Sequence, residues 1–202
     1  MAQYNNWEEV YSENSFRNKN EYPSEDIVSF MMRNYGSFDD RSKLNVLDLG
    51  CGWGNNLKFL NEKGFSCVGV DISKTAIQHC NSSGYDAKQC DFKKLPFDEN
   101  FFDVVIDRQA IQHNAIEDIK KTICEVHRVL KQGGTFYTII VSEAEYNIGT
   151  TCMNEKEIRD ALSIFKIISV DRKTRTYNNQ SVKVSFFLVQ AQKNNIRYYA
   201  TY

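Results

Sequence analysis

The 202-residue sequence contains only 2 prolines. It has no proline-, glycine- or serine-rich stretch and no internal repeat, so linkers and low-complexity tracts are excluded. Charge of one sign is also missing. Twenty-five basic against 26 acidic residues leave a net charge of -1, whereas a nucleic-acid partner calls for a strongly basic domain or face. The cysteines (Cys51, Cys67, Cys80, Cys90, Cys124, Cys152) form no C-x-x-C pair and follow no regular spacing. That argues against a disulfide framework or a zinc site and for reduced thiols. No basic-then-apolar leader opens the sequence, and the longest aliphatic-aromatic run, "FYTIIV" at 136–141, is too short for a bilayer. The expectation is a cytoplasmic chain with no membrane and no nucleic-acid partner, its oligomeric state open.

What is present is an alternation of apolar runs with helical patterns, the mark of a parallel, doubly wound α/β sheet. The runs lie at 45–50, 66–71, 85–90 (weaker), 101–107, 134–141, 165–171 and 182–191. Residues 55–63 and 74–82 read as short helices. Ile116, Ile119, Ile123, Val126 and Leu130 form an amphipathic stripe, which "QGG" at 132–134 is expected to stop. Another helix is expected over 154–163, with Asn154 as N-cap and Glu157 three residues on. The last two runs are separated by "RKTRTYNNQS", too short for a helix, so they should pair as an antiparallel hairpin at the sheet edge. A helix beginning near Pro23 or Ser24 should pack the N-terminal segment over one end of the sheet.

Directly behind the first run stands "LDLGCGWGNN" (47–56), with glycine at 50, 52 and 54. The dinucleotide fingerprint G-x-G-x-x-G would need glycine where Asn55 stands, and no G-K-[ST] follows to make a phosphate loop. Acids point elsewhere. Asp48 precedes the first glycine, where it would oppose a pyrophosphate but suit an amino-acid ammonium; alternatively it caps amides of the turn. Asp71 ends the second run, where a carboxylate accepts from ribose hydroxyls. Asp91 follows the third, placed for an adenine amino group, with Phe92 against the ring. These acids describe a nucleoside carrying an amino acid rather than a diphosphate.

At these residues the sequence resembles the class I S-adenosylmethionine-dependent methyltransferases. "VLDLGCGWG" looks like their first motif, "VGVDIS" their second, and "CDFKKLPFDENFFDVVID" their third and fourth; the likeness spans roughly residues 44–141. It implies S-adenosyl-L-methionine as cofactor and a Rossmann-like seven-stranded sheet of order 3-2-1-4-5-7-6, the last strand antiparallel. Gly50 and Gly52 would hug the methionine moiety, Asp71 the ribose, and Ile72 the adenine, with Asp91 and Phe92 at its edge. Cys51, Trp53 and Asn55 join the candidate cofactor residues, although Cys51 and Ile72 also suit a core and Trp53 a shield over the loop. The implied organisation is one domain over 1–202. Residues 1–43 would cover the site, 44–141 bind cofactor, and 142–202 supply the substrate side and terminal hairpin.

Methyl transfer from a sulfonium needs chiefly alignment, and a general base only for a protonated acceptor. "RQAIQHN" after the fourth run faces that position. His113 is its titratable group near neutral pH, either a base or a packing residue at the next helix. Asp107 either orients this loop or contacts the cofactor's amino end. Asp107, Asp91 and Asn114 have no metal-ligand spacing, so no metal is expected. From residue 166 onward seven basic residues face a single acid, Asp171. Arg172, Lys173 and Arg175 either meet an anionic acceptor or decorate a solvated hairpin. Tyr4, Trp7, Tyr11, Tyr22 and Tyr146 are the candidate aromatic walls, Tyr22 being a substrate candidate. A weaker likeness of the N-terminal stretch to small methyltransferases of bacterial polysaccharide and natural-product clusters points to an oxygen of a sugar, nucleotide-sugar or phosphorylated metabolite. The competing readings are a protein or RNA methyltransferase, a non-catalytic partner subunit, and an NAD-dependent oxidoreductase.

Overall fold

The computed structural model describes residues 6–12, 22–144, 150–177 and 182–194. Alternation within the apolar runs builds the sheet. In β1 (Asn45–Leu49) and β4 (Phe102–Arg108), neighbouring residues point to opposite faces. Leu47, Val105 and Phe136 therefore enter one core with Ile119, Ile123 and Ile158. Val46, Val104 and Tyr137 enter the other with Ile27, Phe30 and Leu60. Both faces are covered, as a parallel sheet requires.

The other strands are β2 (Ser66–Asp71), β3 (Ala87–Gln89), β5 (Leu130–Ala144), β6 (Lys166–Tyr177) and β7 (Val182–Gln192). The sheet order is β3-β2-β1-β4-β5-β7-β6. β1 through β5 pair in parallel, while β7 runs antiparallel to both β5 and β6. Sequence and structure agree on this Rossmann-like order. Helices α3 (Asn55–Glu62), α4 (Lys74–Ser82), α5 (Ile116–Val129) and α6 (Glu155–Ala161) connect the strands. The last begins with a full capping box, Asn154 and Glu157 exchanging hydrogen bonds.

Three expectations change. "QGG" does not cap α5, which ends at Val129 with β5 starting at the next residue. Gly133 (φ 77) instead sits in an irregular stretch of β5 where the pairing with β4 slips register between Phe102 and Val104. The terminal hairpin is longer than its apolar runs, because Arg172–Tyr177 continue β6 as paired strand. The N-terminal segment is divided between two places. Helix α2 (Glu25–Tyr35) lies on a sheet face, where Phe30 stacks on Tyr137 with centroids 4.0 Å apart. Helix α1 (Trp7–Ser12) lies at the carboxyl edge against α4. Tyr4, Tyr146 and Arg197 fall outside the described residues.

Candidate active site

The carboxyl ends of β1, β2 and β4 open on a cavity of about 630 Å³, closed by the glycine loop, the 108–114 loop and α1. The loop is made by three left-handed glycines, Gly50 (φ 77), Gly52 (φ 50) and Gly54 (φ 77). Its amides are spent inside the protein. Gly50 and Cys51 donate to the Val70 carbonyl at 2.8 and 3.0 Å, and Gly52 donates to Asp71 Oδ2 at 3.0 Å. A Cβ on Gly50 would stand 2.2 Å from Ala110 Cβ. Glycine is needed here so that the loop after β4 can press against the loop after β1.

Asp71 lines this cavity, and its other oxygen accepts from Ser73 N at 3.0 Å. Burial pushes its carboxyl up, and the amide hydrogen bonds act against that shift. Ile72 beside it is 49% exposed, an apolar side chain laid open on the cavity wall. Asp91 and Phe92 line the same cavity; Asp91 accepts from Lys93 N at 2.9 Å and is 3.3 Å from Lys93 Nζ. Cys51, Trp53 and Asn55 also reach the cavity, although the Asn55 side-chain amide donates to the Tyr22 carbonyl at 2.7 Å.

Asp48 and Asp107 do not line the cavity. Asp48 shares the sheet face of Val46 and lies behind Asn56, whose Nδ2 is 3.5 Å from its Oδ1. Its Oδ2 is buried without a hydrogen-bond partner among the described residues. Burial pushes its pKa up to about 7, with Asn56 working the other way. Asp107 is fully buried. Its Oδ1 accepts from Ala110 N (2.8 Å) and Ile111 N (3.3 Å), and its Oδ2 from Thr138 Oγ1 (2.6 Å). Burial raises its pKa to about 6 against the pull of those bonds. Of the two roles open in the sequence, holding the 108–114 loop is the one this geometry provides.

His113 ends a 3-10 turn (Ile111–His113) and lines the cavity, its ring edge-on to Trp7 at 4.6 Å. Tyr22, Arg172 and Arg175 are not at the cavity. Tyr22 is 76% exposed. Arg175 Nη2 lies 2.6 Å from Asp26 on α2, and Lys173 Nζ lies 2.7 Å from the same carboxylate. The basic cluster thus ties the hairpin to α2. Sequence reasoning passed over Glu8, Asn56, Arg108 and Gln109, all at the cavity. Asn56 was legible as the last residue of the quoted loop stretch. Gln109 takes a left-handed φ of 63, a conformation that only the folded turn reveals.

A family profile described as "Methyltransferase domain" matches residues 47–138. The uncharacterized methyltransferase YcgJ of Bacillus subtilis is 31% identical over 106 residues, 49% of this chain and 41% of that protein. The sterol 24-C-methyltransferase erg6 of Schizosaccharomyces pombe is 35% identical over 100 residues, 45% of this chain and 26% of that protein. The chain thus spans less than half the length of these curated relatives. Residues 47–138 match a methyltransferase domain, in keeping with the class I S-adenosylmethionine-dependent methyltransferases. The fold likeness reaches further. A chain solved in work on converting a disulfide bond into a thioacetal group during echinomycin biosynthesis superposes with a TM-score of 0.70 at 19% identity, covering 93% of this chain and 90% of that one. The solved structure of B. subtilis YcgJ gives 0.66 at 18% identity, covering 84% of this chain and 98% of that one.

The residues present fit the cofactor of that family, S-adenosylmethionine. An exposed isoleucine follows the Asp71 carboxylate, a second acid with Phe92 lines the same cavity, and a buried carboxylate oxygen of Asp48 behind the glycine loop lacks a partner among the described residues. Among the described residues Arg108 is the only lysine or arginine at the cavity, which leaves little there to hold a diphosphate.

Proposed function

We propose that the protein transfers a methyl group to an oxygen of a small molecule: a sugar, a nucleotide-sugar or a phosphorylated metabolite. The observation that carries this reading is one cavity holding both the Asp71–Ile72 wall and, across it, His113 with Trp7. When bound, S-adenosylmethionine supplies a methyl carbon already activated by the sulfonium charge. The chain's own task is then to align the acceptor and take its proton. Asp107 fixes the loop that carries His113, and His113 serves as base for the acceptor hydroxyl. Trp7 and Tyr11 wall a planar or ring-shaped acceptor. Arg108, at the cavity, replaces Arg172 and Arg175 as the contact for an anionic acceptor.

Residues 1–202 act as one domain in this reading, with α1 and α2 packed on the cofactor-binding core. A cytoplasmic location accords with six unpaired cysteines, and no described helix is long and apolar enough to cross a membrane. Methyl-labelled S-adenosylmethionine incubated with pools of sugar phosphates, nucleotide-sugars, peptides and RNA tests the acceptor class. Label is expected in an O-methylated small molecule. His113→Ala should lower its kcat about 100-fold at saturating cofactor. Label in RNA or peptide alone would contradict the reading.

A further inference from the structure

Helix α1 contributes no buried residue of its own, and a six-residue helix is too short to persist unaided. It is held by what it touches across the cavity. At one end the Trp7 ring meets His113. At the other, Tyr11 meets Trp53 edge-on at 5.2 Å, its hydroxyl 2.6 Å from where a Gly52 Cβ would stand. Between them, Glu8 reaches the start of α4. Its Oε2 accepts from Ser73 Oγ (2.8 Å) and Thr75 N (3.2 Å), and its Oε1 accepts from Thr75 Oγ1 (2.5 Å). The hydroxyl of Thr75, then that of Ser73, holds this carboxyl below its ordinary range.

Ser73 does three things at once. Its amide donates to Asp71 Oδ1, its hydroxyl donates to Glu8, and the same oxygen accepts from Ala76 N to cap α4. The carboxylate assigned to the ribose and the helix roofing the cavity thus share one residue.

We propose that Glu8 is a positioning residue that latches α1 over the cofactor cavity through Ser73 and Thr75, so that the shut latch retains bound cofactor. The inference rests on reading the cavity as the S-adenosylmethionine site. Entry and departure then require α1 to lift, a gating step of the kind loops and lids perform. Breaking the latch leaves the binding surface intact and shortens residence.

The chain's 2 tryptophans, Trp7 and Trp53, both line the cavity, so intrinsic fluorescence reports the event directly. Stopped-flow mixing with S-adenosylhomocysteine should show dissociation about tenfold faster in Glu8→Ala than in wild type. Association, which also needs α1 to lift, should be at least as fast as in wild type. Thr75→Val, which leaves the Ser73 cap in place, should fall between the two. A chain merely loosened by the substitution would lose association as well as retention. Wild-type dissociation rates in Glu8→Ala would overturn the latch alone. Failure of wild-type protein to bind S-adenosylhomocysteine would overturn the cofactor reading and the latch together.

Discussion

Asp48, Asp71 and Asp107 come from neighbouring strands, yet only Asp71 reaches the cavity. Position along the strand decides this. Asp71 is the last residue of β2, where the side chain turns into the opening, while Asp48 sits one residue inside β1 and points toward α3. A buried carboxylate with a raised pKa keeps a proton that the unfolded chain has already released. Between about pH 4 and 7 for Asp48, and about pH 4 and 6 for Asp107, stability therefore falls as pH rises. Asp48→Asn should flatten this slope and stabilise the chain above pH 7, by an amount of the order of a few kcal/mol. Thermal melts from pH 4 to 8 check it; an unaltered slope would contradict the expectation. The same variant separates the two roles left open for Asp48. Lost cofactor affinity assigns it to the ammonium, and retained affinity to the loop.

At the scale of elements, the basic hairpin shows how chain contacts change a reading. In the sequence, Arg172, Lys173 and Arg175 follow an apolar run and look like the start of a loop. In the structure they extend β6, and the alternation of the strand turns Lys173 and Arg175 toward the same acid of α2, while Arg172, which precedes them on the opposite face, is exposed. Only the docking of α2 on the sheet brings Asp26 there, from a position 147 residues away from Lys173. Asp26→Ala should therefore lower stability by about 1–2 kcal/mol and leave S-adenosylmethionine affinity unchanged, as calorimetry can measure for both. A fall in cofactor affinity with stability intact would contradict this division. The "QGG" stretch teaches a related lesson. Glycine after a basic helical turn resembles a helix stop, but the pairing of β5 with β4 and the bond from Gly133 N to the Lys193 carbonyl claim it for the strand.

At the scale of the whole molecule, the sheet order gathers the ends of β1, β2 and β4 on one cavity. The strands and the candidate cofactor wall were legible, because strand periodicity and the spacing of Gly50, Asp71 and Asp91 are local patterns; the sheet order followed from the family resemblance that those motifs carry. The roof was not. Glu8 acts through Ser73 and Thr75, residues 65 and 67 positions away, and nothing in "NWEEVY" marks that acid from its neighbour Glu9. On the proposed acceptor side Trp7, Tyr11 and the loop of His113 were named from the sequence, whereas Arg108 and Gln109 were not, because no motif marks them and only the folded turn brings them to the cavity. The central claim is that this cavity binds S-adenosylmethionine through Asp71. Isothermal titration of wild-type and Asp71→Ala protein with S-adenosylmethionine, S-adenosylhomocysteine and NAD tests it most directly. Both sulfur compounds should bind wild type with one site per chain, NAD should not bind, and Asp71→Ala should weaken both about tenfold or more. Binding of NAD alone, or undiminished affinity in Asp71→Ala, would contradict it.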